Sequence, residues 1–170
     1  MVCSDHDGPD DDDDGNAVTA PKVKIVVDTD GNAWHGMTAE RLWATPVGIS
    51  LYRLENSPLY AYGISYQDVV VAREDSDASL RFLRVQDRGG HSTYRVVLKG
   101  SATKSDFEKY WKPIERLGCT YESSRDPENV FAIDVPPSTD VYEVYPLLEN
   151  GERDGVWEFE EGHCGHPLRS

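Results

Sequence analysis

The sequence predicts an α+β protein in two parts. Residues 22–90 read as a small curved β-sheet or barrel. Residues 91–162 read as a ferredoxin-like layer in the order strand, helix, strand, strand, helix, strand. Three observations carry this expectation. Short apolar runs broken by turn residues fill the first part, with no helical period of useful length. Two amphipathic helical stretches follow Gly89 and Gly90. The units YRVVL–helix–CTYES and FAIDV–helix–VWEFE form an approximate internal repeat.

In chain order, KVKIVVDTDG alternates apolar and polar residues and ends in an Asp-Gly turn, as a strand should. ERLWATPVG and SLYRLENSP are two further short strands. DVVVAR and SLRFLRVQD flank EDSDA, a polar segment of hairpin length. Strands of this length and spacing favour a strongly curved sheet. STYRVVL opens the second part as a strand. Ser105 is the expected cap of a first helix, with Glu108 closing a capping box. Phe107, Tyr110, Trp111, Ile114 and Leu117 fall on one face, and Gly118 stops the helix. Strands CTYES and NVFAIDV come next. Asp140 caps a second helix with Val141, Val144, Tyr145 and Leu148 on one stripe, ended by Gly151 or Gly155. VWEFEE is the last strand. Interior prolines, Pro113 and Pro146, predict a kink or break in each helix, at about 3 kcal/mol apiece in a straight one.

Charge is unevenly spread. Of the net −14, half sits in residues 1–21, which hold seven Asp and no Lys or Arg. Like charges at that density predict a disordered tail. Residues 22–90 are nearly balanced, while residues 91–162 carry fifteen acids against eight bases. Such a surplus repels phosphate backbones and argues against nucleic acid. It steers a basic protein partner instead. No stretch approaches the roughly 20 apolar residues of a membrane span, and the acidic start does not read as a secretory signal. Cys3, Cys119 and Cys164 are too few and too scattered for a disulfide framework. These features read as a soluble cytoplasmic protein with reduced thiols.

LWATPVG, YRLENSP, AYGISYQDVV, RGGHSTYRV, LGCTYE, AIDVPP and VWEFEEG, in this order, resemble a family of small, mostly bacterial proteins catalogued as a domain of unknown function. AYGxSYxD and GHSTYR at the right separation are the specific motifs. The resemblance spans residues 23–162 and implies one fold unit in two halves, standing beside toxins or other partners. The family usually has Gly at the position of Gln67, which implies a less strained turn before Asp68 in this chain.

Two stretches are candidate sites. In PLYAYGISYQDVV, residues 58–70, Pro58 and Gly63 bend the chain and Asp68 starts the next strand. Tyr60, Tyr62 and Tyr66 would share one face of an extended run. Facing inward they are core; facing outward they are a binding patch, with Tyr62, Tyr66 and Asp68 as its candidates. In RGGHSTYR, residues 88–95, Gly89 and Gly90 could free amides for an anion. His91, Ser92 and Arg95 offer a base, a hydroxyl and a cation at the junction of the halves. The competing reading is a tight linker whose polar groups bond the backbone. No catalytic set is complete, because a nucleophile needs a placed base and an orienting third group. HCGH, residues 163–166, reads as a flexible C-terminus over 163–170 rather than a zinc site. Glu158 and Glu160 read as ordinary alternation on a half-buried strand. No cofactor or metal is expected, since phosphate-loop, dinucleotide and HExxH motifs are missing. A non-catalytic acidic binding protein, of the immunity or inhibitor kind, is the expected function. The alternative is a small-ligand protein or enzyme with a pocket around Gly89–Arg95.

Overall fold

Strand alternation and turn chemistry build the first half of the computed structural model, which describes residues 20–125 and 128–169. Strands β1 (Val23–Asp28), β2 (Ala39–Gly48), β3 (Leu51–Leu54), β4 (Val69–Glu74) and β5 (Leu80–Asp87) close into a barrel. Neighbours are antiparallel along the meander, and the seam is parallel, β1 on β5, through Ile25–Leu80 and Val26–Arg81. Ile25, Val27, Leu42, Ala44, Leu54, Val70 and Ala72 point inward. Their alternation is the period of 2 that the sequence displays. The acidic stretch predicted over residues 1–21 lies, except for its last two residues, outside the described chain.

The second half contains β6 (Ser92–Leu98), α1 (Lys104–Glu115), β7 (Thr120–Ser123), β8 (Val130–Val135), α2 (Val141–Arg153) and β9 (Trp157–His163). The sheet order is β7-β8-β6-β9, all antiparallel. Each strand–helix–strand unit is therefore split by a strand of the other, the arrangement expected of a ferredoxin-like layer. Tyr94, Val96, Phe131, Ile133 and Trp157 form one core with Phe107, Trp111, Ile114, Val144 and Leu148. Phe107 stacks on Phe131 at 3.9 Å between ring centroids. Each such buried side chain contributes roughly 1.5–3 kcal/mol.

Helix details differ from the expectation in three ways. Thr103, not Ser105, caps α1: its hydroxyl accepts from the Asp106 amide at 3.2 Å, and Asp106 returns the bond to the Thr103 amide at 2.8 Å. The capping box is one half-turn earlier because Ser105 already has helical neighbours on both sides. Both helices run unbroken through Pro113 and Pro146. Pro113 falls in the last turn of α1, where little helix remains to be disrupted. The packed stripe of α2 outweighs the hydrogen bond that Pro146 forgoes. Finally, Gly155 ends α2 at φ 77, and Gly151 has another task. Trp157 lies fully buried against the helix, its Nε1 donating to the Leu148 carbonyl at 2.9 Å. A Cβ on Gly151 would overlap the Trp157 indole.

Residues 163–169, expected to be free, run back along the sheet. Gly165 donates to Ser92 Oγ at 2.9 Å, Arg169 to the Tyr142 hydroxyl at 2.7 Å. The backbone groups of a loose end find partners here, which the sequence reading did not foresee.

Gly151→Ala is expected to cost at least about 2 kcal/mol in urea unfolding, because neither helix nor indole has room to retreat. The two described thiols should also part company. Burial, helped by the Asp134 charge, pushes Cys119 up to about 12, while Cys164 is half exposed. A neutral alkylating reagent should modify Cys164 in the native protein and Cys119 only after unfolding. Since the fold raises the Cys119 pKa, its contribution to stability is whole below the usual thiol value of about 8.5 and is lost as pH climbs through 12. Cys119→Ala should flatten that alkaline decline.

Candidate functional site

Between the halves lies a side chain with few precedents in a soluble core. Arg95, in the middle of β6, is fully buried on the sheet face opposite the helices. A buried guanidinium must be paired or it is prohibitively costly. Its Nη1 donates to the Ala61 carbonyl at 2.9 Å, and its Nε lies 2.8 Å from Glu160 Oε1 on β9. The Tyr62 ring covers its plane, 4.0 Å from centroid to guanidinium carbon. Tyr62 then donates its hydroxyl to Glu160 at 2.8 Å, and Trp34 Nε1 donates to the same carboxylate at 3.1 Å. Burial and the Glu160 bond both raise the Tyr62 pKa, so the phenol keeps its proton. Gly162 makes space for the guanidinium: a Cβ there would sit 3.2 Å from Nη2. One backbone bond, Gly63 amide to Gly162 carbonyl at 3.0 Å, completes the joint.

The stretch 58–70 is thus the corner that docks the barrel on the sheet. It is a series of bends rather than an extended run, so the three tyrosines do not share a face. Tyr60 packs on His35 at 5.1 Å, Tyr62 on Arg95, and Tyr66 edge-on to His91 at 5.2 Å. Ala61 and Ile64 plug the barrel instead. Glu40 holds the bend together: its buried carboxylate accepts from the amides of Leu59, Tyr60 and Ala61 at 2.7–2.9 Å.

Asp68 does the same for the linker. Its carboxylate accepts from Ser65 at 3.0 Å, from Arg88 Nη1 at 3.0 Å and from the Gly89 amide at 2.8 Å. The anion on the Gly89 amide is therefore the chain's own Asp68. Gly89 passes so close to Gln67 that a Cβ would lie 2.7 Å from its carbonyl carbon. Gly90 takes φ 81. Gln67 sits at φ 65, so the turn before Asp68 is strained in this chain, contrary to what the family comparison of that position implied. Its backbone amide donates to the Leu54 carbonyl at 3.0 Å and its side-chain Nε2 to the same oxygen at 3.3 Å, which together hold the conformation.

The remaining candidates are also spoken for. His91 Nδ1 lies 2.8 and 3.0 Å from the two Asp134 oxygens. Burial pushes the Asp134 carboxyl above its ordinary range, and the His91 bond and charge draw it back. Ser92 Oγ is 2.6 Å from His166 Nδ1, and His166 Nε2 is 3.1 Å from the Pro136 carbonyl. This supplies the base and orienting group that the sequence lacked, but Ser92 is fully buried under the C-terminal segment. His91, Ser92 and Arg95, expected to line a pocket at the junction, each have partners within the protein. Among the described residues, no three His, Cys, Asp or Glu side chains gather to hold a metal.

What remains open lies at the rim of the joint. A cleft of about 170 Å³ is lined by Trp34, Arg95, Val97, Glu158, Phe159 and Glu160. Trp34 and Tyr62 stay 49% and 48% exposed although both are pinned by Glu160. Sequence reasoning missed Trp34 and Glu160. Trp34 stands in a loop remote from either motif, and Glu160 fits a plain alternating strand. The only signal was an arginine, Arg95, on the apolar strand STYRVVL, which demanded an acidic partner somewhere.

Barrel, split sheet and polar joint together define a two-part α+β scaffold whose linker residues are consumed in holding it closed. The chain belongs to the family described as a domain of unknown function (DUF4265), whose model matches residues 40–159. It is similar in fold to a hypothetical protein from Neisseria gonorrhoeae, solved by crystallography, at 17% identity and a TM-score of 0.66. That likeness covers 88% of this chain and 97% of the other. No curated protein matches.

Arg95→Met should cost about 3 kcal/mol in urea unfolding, since it removes the charge that Glu160 balances and leaves the Ala61 carbonyl without its donor. Arg95→Lys should recover little, because an ammonium cannot reproduce the planar stack on Tyr62. A loss below about 1 kcal/mol for Arg95→Met would contradict this account of the joint.

Proposed function

We propose that this is a binding protein without chemistry of its own, which receives a basic protein partner on the acidic rim of the joint. The observation that carries the reading is the pair of exposed, immobilised aromatic rings, Trp34 and Tyr62, beside Glu158 and Glu160. Aromatic side chains held in place lose little entropy on binding and are the usual anchors of an interface. A partner lysine or arginine laid across them meets π faces and carboxylates together. The wider field supports the same partner: residues 91–162 carry fifteen acids against eight bases. An immunity or inhibitor protein that covers a basic toxin or enzyme is the concrete form of this proposal. The fully buried Ser92 argues against the enzyme alternative, because a nucleophile has to reach a substrate.

Expressed with its neighbouring genes, the full chain should co-purify with a basic protein at low salt, and the complex should weaken as salt rises. Trp34→Ala should reduce the affinity by about 2 kcal/mol, roughly thirtyfold. The melting temperature of this variant should stay within a few degrees, which separates lost binding from lost fold. If no basic neighbour binds at low ionic strength, the proposal fails.

A further inference from the structure

The helix-covered side of the second sheet carries a separate cavity, remote from the rim just described. It measures about 290 Å³ and is lined chiefly by Tyr94, Tyr142, Tyr145, Pro146, Glu161 and Cys164. That is the small end of the range for ligand sites. Tyr94, from β6, is almost wholly buried and forms the floor. Tyr142 and Tyr145 come from the first turns of α2, and Glu161 is the register partner of Tyr94 on β9. Leu168 of the C-terminal segment stands beside them, 74% exposed.

Three features specify what would fill this space. Tyr94 and Tyr145 meet at 6.1 Å with their planes at 72°, so the rings make a corner rather than a flat wall. Among the described residues Glu161 makes no hydrogen bond or ion pair, and its charge acts on the neighbouring Tyr94 and His163. Its carboxylate is free to face a cation in the cavity. Thirdly, one ring already carries a positive group: the Arg169 guanidinium carbon lies 4.5 Å from the Tyr142 centroid, and its Nη2 pairs with Asp140. The positive end of α2 does not oppose this, because Asp140 caps it. Ring faces and a carboxylate attract positive charge, and the predominantly apolar lining suits methyl groups rather than a strongly hydrated ammonium.

From this arrangement we propose that the cavity binds a small methylated ammonium ion, of the size and kind of choline. Tyr94, Tyr142 and Tyr145 would enclose the methyl groups and Glu161 would balance the charge. The site is independent of the proposed basic-partner surface, since it lies on the other face of the sheet.

Calorimetric titration of the full chain with choline tests the proposal, with 3,3-dimethylbutan-1-ol as the neutral molecule of the same shape. Choline should bind saturably with a dissociation constant below about 1 mM, and the neutral alcohol at least about tenfold more weakly. Glu161→Gln should weaken choline about tenfold, and Tyr145→Ala should abolish the signal. Both positions are exposed enough for the melting temperature to hold, which shows that the fold survives. A peptide bearing trimethyl-lysine distinguishes a free cation from a modified protein as its source; tighter binding of the peptide than of choline would overturn the assignment to a free molecule. No saturable binding of choline, or equal binding of the neutral alcohol, would overturn the site itself.

Discussion

A positive charge without access to water organises this molecule. Arg95 sits where the barrel meets the sheet; its neighbours offset much of its burial, while Nη2 makes no hydrogen bond among the described residues. The Ala61 carbonyl, the Glu160 carboxylate and the Tyr62 face each take part of the guanidinium. An apolar residue in that place would be cheaper to bury, but it would allow the two halves to slide on one another. A guanidinium with directional partners allows one docking only. Glu40 and Asp68 repeat this logic on the barrel side, each carboxylate gathering the amides of a bend that no regular structure satisfies.

The sequence disclosed the elements more readily than their meeting. Period-2 runs such as KVKIVVD and the 3–4 spacing of Phe107, Trp111 and Ile114 each arise from local burial, and each is found where it was read. Cap positions shifted by a couple of residues, because Thr103 and Ser105 both carry hydroxyls and only tertiary packing decides where α1 begins. The prolines misled for the same reason: helix propensity is a local quantity, and the core over-rides it at Pro113 and Pro146.

The candidate site was legible as residues and illegible as contacts. His91, Ser92, Arg95 and Asp68 are all at the joint, as their place between the halves suggested. Their partners Asp134, His166, Glu160 and Gly89 lie between 21 and 74 residues away along the chain, and Arg95 and Glu160 face each other across one sheet pairing. Neither distance nor pairing can be read from a single strand's pattern. The tyrosines of 58–70 went to three different neighbours because the stretch turns repeatedly, and an alternation argument holds only for extended backbone.

Barrel closure has an effect on how the molecule can meet copies of itself. With β1 paired to β5, the described strands of the first half close into a barrel without an open edge. In the second half the outer side of β9 is partly occupied by Gly63 and by the Glu152 side chain. Among the described residues, β7, Thr120–Ser123, is the rim whose outward amides and carbonyls no other strand covers, and four residues are a poor template for a neighbour's backbone. Growth into ribbons by strand addition is disfavoured by this pairing of the described strands.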